Sequence, residues 1–415
     1  MANISLLSST NRVEVPYVKV TIGDYTFGVY QSSKATIKTS NGFFEHSETI
    51  YPNYVKSLKI NKINGQVNTY TLNIAYCIQP GDDPNFFEKV FSSVSSNRKI
   101  IFSYGDMSLP TYVFKDEEAI ITNIRPDINI RANTIYYTIT AISAASKLNA
   151  GTYTFNNNKP KKPSDEIKAL LRGNYGLKEI FTGMANDALV EAKKLIPDDD
   201  KAVPMETKTN ISVLDYLNYL ISCMIPATSN ITNTNNKTFY AMQIIDDVSG
   251  EFGGTYFKIE PVIKDKADQY AYEIDVNFST KDIIKSISFN LNETPAIYNE
   301  WQEELTQEKY VSRLNDKGEW ALEYAPNISS NNDEHITRTT DTTWWTKITE
   351  YPLSCVLTIK GLLKPVTLMT YIRLNVYFYG VKYMLSGLYI ITKEDDSVDS
   401  SGYYTTLSLT RIAGD

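Results

Sequence analysis

Short runs of alternating apolar and polar residues fill most of this chain and predict strands rather than long helices. Val13, Val15, Tyr17, Val18 and Val20 lead to a turn at Gly23-Asp24, the pattern of a hairpin over residues 13 to 31. Tyr54, Leu58 and Ile60 run into Asn64-Gly65, the strongest short hairpin signal, and Tyr70 to Tyr76 return from it. After the turn Pro80-Gly81-Asp82-Asp83-Pro84, the spacing of Phe86, Phe87, Val90, Phe91 and Val94 predicts a short helix. Strands resume at Lys99 to Tyr104, Ala119 to Thr122 and Thr134 to Ile142.

The polar, basic stretch Asn156 to Pro163 reads as a linker closing a first domain. Helical signals follow. Ser164-Asp165-Glu166 caps one helix, Asn186 to Ile196 forms another, and Ser212 to Met224 carries an apolar stripe of Val213, Leu214, Leu217, Leu220 and Ile221. The Asn/Thr-rich run Thr228 to Thr238 is a loop. Strands are expected at Phe239 to Ile245, Thr255 to Ile259, Ala271 to Phe278 and throughout residues 353 to 412. The polar segment Tyr298 to Thr346, which holds all four tryptophans, gives no readable pattern. The expected fold is mainly β with α+β insertions. Its domains are 1–155, a first β-domain; 156–270, mixed and helical; and 271–415, a second β-domain with a polar insertion near 298–346.

The two ends of the chain echo each other. Ile120-Ile121-Thr122 precedes Tyr136-Tyr137-Thr138 and an alternating strand to Ile142; Ile390-Ile391-Thr392 precedes Tyr403-Tyr404-Thr405 and an alternating strand to Ile412. The spacings differ by three residues, which a loop absorbs. This echo predicts two β-barrel or sandwich domains related by internal pseudo-duplication. A ring subunit with two equivalent domains makes a pseudo-six-fold ring from three chains.

Composition narrows the function. The chain has 415 residues, enough for two to four domains, and its 42% apolar and 21% charged content can fill real cores. Thirty tyrosines fit strands. A net charge of −7 argues against gripping nucleic acid through its phosphates, but suits a surface past which nucleic acid slides. No signal-peptide pattern opens the chain and no apolar run approaches a bilayer's thickness, so a cytosol-made protein is expected. Cys77, Cys223 and Cys355 each lie in apolar segments and read as buried, reduced thiols.

Catalytic chemistry finds little support. With only His46 and His335, both in polar loops, a His-based triad or a zinc centre lacks its ligands. No phosphate-cradling glycine spacing occurs, and Glu251-Phe252-Gly253-Gly254 reads as a turn feeding a strand. Asp198-Asp199-Asp200 lacks the spacing of a calcium loop and reads as solvated. Glu303, Glu304 and Glu308 near Trp301, Trp320, Trp344 and Trp345 could in principle flank a glycosidic bond. However, Glu304 and Glu308 sit at the i,i+4 spacing of a charged helix face, and the tryptophans suit a subunit interface. No catalytic, cofactor-binding or metal-binding residue is therefore assigned, and no cofactor is expected.

The C-terminal residues carry a resemblance. Leu357-Thr358-Ile359-Lys360-Gly361 leads through Pro365 to Ile372-Arg373-Leu374-Asn375-Val376 and Phe378-Tyr379-Gly380. Leu385-Ser386-Gly387-Leu388-Tyr389-Ile390-Ile391 follows, then the acidic loop Asp395-Asp396-Ser397-Val398-Asp399 and Gly402-Tyr403-Tyr404-Thr405. The glycines punctuate a meander of similar strands. This order resembles the closing β-domain of phage tail hub proteins, the late-control D family and the trimeric baseplate hubs of contractile tails. The close match covers about the last 60 residues. The turn Leu362-Leu363-Lys364-Pro365 is more apolar than that family's turns.

The resemblance implies a non-enzymatic virion protein of the tail baseplate, assembled in the host cytoplasm. Its homotrimer would adapt the six-fold tail tube to a three-fold central spike, beside other baseplate proteins. DNA or a tape-measure protein would pass through its bore without specific binding, and no part would insert in a membrane. Two alternatives stand beside it: a peptidoglycan- or glycan-acting tail protein, and the hub of a related injection or secretion system.

Overall fold

Period-two alternation in the sequence becomes two β-ladders in the computed structural model, joined edge to edge and separated in sequence by a helical unit. The structure describes residues 16–28, 50–51, 54–92, 98–106, 115–157, 159–173, 175–200, 202–203, 205–224, 238–248, 252–263, 272–280, 282–291, 299–302, 309–314, 320–324, 353–360 and 368–414. His46, His335, the loop Thr228 to Lys237, Trp344, Trp345 and Glu303 to Glu308 lie outside them. So do the side chains of Trp301 and Trp320.

The first ladder contains β1 (Pro16–Ile22), β2 (Tyr25–Gly28), β3 (Ile50–Tyr51), β4 (Val55–Ile63), β5 (Thr69–Cys77), β6 (Lys99–Asp106), β7 (Lys115–Asn129) and β8 (Thr134–Ile142). β4 pairs β5, β5 pairs β8, β8 pairs β7, β7 pairs β6 and β6 pairs β1, all antiparallel. Helix α1 (Phe86–Ser92) covers one end and buries Phe87 and Val90 among Phe27, Tyr54, Tyr76 and Tyr137. The hairpins expected at Gly23-Asp24 and around Asn64-Gly65 are present. Gly65 has φ +69°, and a Cβ there would lie 2.8 Å from Asn218 Oδ1, so the turn accepts only glycine without a shift.

The helical unit follows, with β9 (Tyr153–Phe155) paired to β10 (Lys208–Ile211). Its helices are α2 (Pro163–Arg172), α3 (Leu177–Ile180), α4 (Asp187–Lys193) and α5 (Val213–Ser222). Their apolar stripes pack with β11 (Thr238–Asp247) and β12 (Gly254–Ile263) around Leu170, Tyr216, Leu217, Leu220 and Phe257. Ser212 caps α5 and Asn186 caps α4, as their sequences indicate. Ser164 does not cap α2. Pro163 occupies the first turn, where its missing N–H costs nothing, and buried Asp200 accepts from the Ser164 N–H at 2.9 Å and its hydroxyl at 2.5 Å. The solvated reading of Asp198-Asp199-Asp200 holds for exposed Asp198 and Asp199 but not for Asp200, which is buried. Asp200 satisfies a helix N-terminus and Asp199 accepts from the Tyr240 hydroxyl at 2.8 Å.

The second ladder contains β13 (Tyr272–Val276), β14 (Ile284–Leu291), β18 (Leu353–Lys360), β19 (Tyr371–Phe378), β20 (Val381–Lys382), β21 (Gly387–Asp399) and β22 (Gly402–Gly414). β15 (Asn299–Gln302), β16 (Lys309–Leu314) and β17 (Trp320–Tyr324) form a separate three-stranded sheet between β14 and β18 in sequence. β14 pairs β18, β18 pairs β22, β22 pairs β21 and β21 pairs β19. Among the described residues, no pairing closes either ladder into a barrel.

Strand for strand, the second ladder repeats the first. The chain order β1, β4, β5, β6, β7, β8 matches β13, β14, β18, β19, β21, β22, and so does the order of neighbours. Irregularities repeat as well. Lys56 is bulged between Val55 and Ser57 against Ile74 and Asn73; Lys285 is bulged between Ile284 and Ser286 against Ile359 and Thr358. The segments Val55 to Asn61 (VKSLKIN) and Ile284 to Asn290 (IKSISFN) carry this in sequence. One difference is that β1 runs antiparallel to β6 while β13 runs parallel to β19.

Two sequence expectations need correction. The Tyr-Tyr-Thr echo slips by one position: the ladders align Tyr136 with Tyr404 and buried Tyr137 with buried Thr405. A one-residue shift exchanges the faces of a strand, so only the ladder alignment keeps buried positions together. The cysteines are not uniformly buried. Cys355 lies in a core, whereas Cys77 ends β5 and is exposed, because its side of the strand faces solvent.

Candidate assembly interface

The two ladders meet where β21 lies antiparallel along β4, pairing Lys393 to Asp399 with Ile63 to Ser57. On the inward face, Leu58, Ile60 and Lys62 alternate with Glu394, Asp396 and Val398, and all are buried. Val398 and Tyr403, from the C-terminal hairpin, sit in the core of the first ladder. On the outward face the Asn61 side-chain amide donates to Asp395.

A buried polar network backs this join. Lys62 Nζ lies 2.6 Å from Glu117 Oε1 and 3.1 Å from the Tyr104 hydroxyl. Tyr104 donates to Glu117 at 2.9 Å, with Asp396 Oδ2 at 3.3 Å. Asp396 accepts from Tyr403 at 3.0 Å and from Thr405 at 2.5 Å. Burial alone would lower the Lys62 ammonium's pKa. The surrounding carboxylates of Glu117, Glu394 and Asp396 outweigh burial and hold it charged, above its ordinary range.

The network reaches the helical unit through Asp246 of β11. Asp246 accepts from Ser143 at 2.5 Å, Thr255 at 2.8 Å and Asn68 at 2.8 Å, and lies 3.0 Å from the Tyr70 hydroxyl. Burial pushes its carboxyl above the usual range, with Glu117 adding to the shift against those donors. Tyr70 also lies 3.0 Å from Glu117 Oε2. One hydroxyl proton serves only one of the two acids, so the other contact requires a carboxyl proton, and Asp246 is placed to hold it at low pH. The Asn64-Gly65 turn ties the same region together. Asn64 N donates to Thr392 O at 3.2 Å, Gly65 N to Met242 O at 3.3 Å, and Asn218 donates to Gly65 O at 2.9 Å.

This arrangement fixes the two ladders and the helical unit against one another. Among the described residues, no group of His, Cys, Asp or Glu could hold a metal ion. Exposed apolar residues cluster at the hairpin between β19 and β21, where Phe378, Tyr379, Val381 and Met384 face solvent. Sequence reasoning found β4 of the join but read Asp395 to Asp399 as an acidic loop, whereas they form the end of β21 and pair along β4. It missed Lys62, Glu117, Asp246 and Asp396, whose signal is a charged residue at an inward position of an alternating strand.

No protein family and no curated protein matches the sequence. Solved structures do. The chain is similar to a tail protein from Neisseria meningitidis MC58 at 8% identity and TM-score 0.49, covering 95% of this chain and 96% of that one. It is similar to the 43 kDa tail protein of prophage MuSo2 from Shewanella oneidensis at 10% identity and TM-score 0.48, covering 96% and 98%. It is also similar to an E. coli component of the type VI secretion system, itself similar to the T4 bacteriophage tail proteins gp27 and gp5. That match has 7% identity and TM-score 0.43, and covers 86% and 74%. These neighbours are tail and secretion-system proteins.

Proposed function

We propose that this chain is the structural hub of a contractile phage-tail baseplate. Three copies form a ring whose six β-modules match a six-fold tail tube on one face and a three-fold spike on the other. The observation that supports this reading is the duplicated ladder, with its strand order and its Lys56 and Lys285 bulges repeated. A subunit with two equivalent modules offers a six-fold partner six similar surfaces while keeping three-fold identity. The resemblance of the C-terminal 60 residues to tail hubs points the same way. The insertion between β14 and β18 occupies the connection that in the first module is the short Asn64-Gly65 turn, so it distinguishes one module from the other and breaks six-fold to three-fold symmetry. The apolar hairpin tip from Phe378 to Met384 suits a protein partner's face. DNA or a tape-measure protein would pass through the bore. The domains follow this scheme: a first tube-type module to 155, a helical unit to 270 and a second module to 415.

Sedimentation and particle imaging of the purified chain test the reading. Three copies in a ring with six similar lobes are expected. A ring with another number of copies, or a monomer at every concentration, would overturn it.

A further inference from the structure

Because β14, β18, β22 and β21 repeat β4, β5, β8 and β7, the edges of these strands in one ladder have counterparts in the other. Within the chain, β21 from 393 to 399 lies along β4 from 57 to 63. Aligning the ladders, the counterpart of that stretch of β21 is residues 123 to 129 of β7, and the counterpart of β4 is β14. Among the described residues, β7 from 123 to 129 pairs only with β8, and β14 pairs only with β18. Each chain thus carries both halves of a second join, on different modules, and among the described residues neither edge is paired.

We infer that β7 of one copy pairs antiparallel with β14 of a second copy of this chain, in the register set by the internal join. That places Ile128 opposite Ile287, Asp127 opposite Ser288, Pro126 opposite Phe289 and Arg125 opposite Asn290. The inference rests on the ring of copies proposed above and supplies its subunit contact.

The side chains fit this occupant. Val398 is 1% exposed where it meets Leu58, whereas its counterpart Ile128 is 66% exposed. On β7, Ile124, Pro126 and Ile128 alternate with Asn123, Arg125, Asp127 and Asn129. On β14, Ile287 and Phe289 lie half-buried against the second core and alternate with exposed Ser286, Ser288 and Asn290. Each edge therefore has one apolar row facing the side on which the internal join buries its own. Like charges do not oppose one another in this register. The two joins differ in chemistry: the internal one buries Lys62, Glu394 and Asp396, whereas Ile124, Pro126, Ile128, Ile287 and Phe289 carry no charge. Apolar burial would hold the join between copies, so raising salt should not release it. Pro126 pairs with Tyr137 of β8, so its missing N–H faces the open edge. The ladder between copies is one hydrogen bond shorter for it, and the same proline blunts pairing with an arbitrary strand.

Cysteine pairing in the full chain tests the contact. With exposed Cys77 replaced by Ser, the Asp127→Cys/Ser288→Cys variant should form disulfides between chains on mild oxidation. The out-of-register control Asp127→Cys/Ser286→Cys should give markedly less. Ile128→Lys, a change at an exposed position of the single chain, should abolish both the cross-link and the ring while leaving the thermal transition in place. Covalent closure at three chains supports both the contact and the hub. Closure at another number, or an open ladder, keeps the contact and overturns the three-fold reading. A three-copy ring without cross-links overturns the contact alone, and a monomer without cross-links overturns both.

Discussion

Thr122 and Thr392 do the same job in different halves of the chain. Each is the bulged residue of its hairpin, and each donates its hydroxyl across the ladder at 3.1 Å, Thr122 to Thr140 O and Thr392 to Ser408 O. The amide that precedes each is held alike: Ile121 N donates to Arg98 O at 2.8 Å and Ile391 N to Thr370 O at 3.1 Å. A bulge leaves backbone groups unpaired, and a threonine hydroxyl answers one of them. Thr122 is exposed while Thr392 is half-buried. Thr392→Val should therefore destabilise by about 1 kcal/mol, and Thr122→Val by less, since water can replace an exposed hydroxyl. Urea denaturation of the two variants compares them. Equal losses would mean that burial does not set the size of this bond's contribution.

Lys62 is the cation of a buried, mostly acidic cluster. Removing it leaves the buried carboxylates of Glu117, Glu394 and Asp396 without their nearby cation, held only by neutral donors such as Tyr104, Tyr403 and Thr405. Lys62→Met should cost ~3–5 kcal/mol, the usual penalty for breaking a buried pair from one side. Adding Glu117→Gln should recover part of that loss, because it removes one of the stranded charges. Denaturant midpoints of parent, single and double variants test this, and a double variant weaker than the sum of both singles would contradict it.

How much of this was legible in the sequence depended on the length scale of the signal. Alternation found most strands and the apolar stripe of Val213, Leu214, Leu217, Leu220 and Ile221 found α5, because both act within a few residues, whereas the cap read at Ser164 failed because its partner Asp200 lies 36 residues away. The Ile-Ile-Thr echo exposed the duplication at its bulge. The Tyr-Tyr echo misaligned it by one, since similar side chains are not a register and only the ladder distinguishes inward from outward. VKSLKIN and IKSISFN went unread because the shared residues are common ones. The partners of Lys62 come from three strands, β6, β7 and β21, far apart in the chain, and no local pattern joins them.

Asp246 gives the structure a pH dependence with a definite sign. Burial raises its folded pKa above the unfolded value, so its contribution to stability is full below about pH 4 and is lost as pH rises through the folded pKa. Asp246→Asn cannot ionise and lacks that loss. The destabilisation caused by the substitution should be greatest near pH 4 and shrink as pH rises. Paired unfolding curves across this range measure it. A destabilisation that grows with pH would show that the donors around Asp246, rather than its burial, govern its ionisation.

The C-terminal hairpin completes a core built by the first hundred-odd residues, so a distant change should loosen the N-terminal module selectively. Val398 is buried beside Leu58 in the first ladder's core, although it belongs to a strand of the second. Val398→Ala should leave a small cavity there and cost ~2 kcal/mol. The loss should appear where β4 is held, because β4 has β5 on one side and β21 on the other, and loosening β21 returns one side of β4 to solvent. Hydrogen exchange should speed up at the amides of Leu58, Ile60 and Lys62 while those of β18, flanked by β14 and β22, keep their protection. Uniform acceleration in both ladders would mean that the modules open together and that the β4–β21 join is no weaker than the cores it connects. Acceleration confined to β21 and β22 would mean that β4 is held by β5 alone.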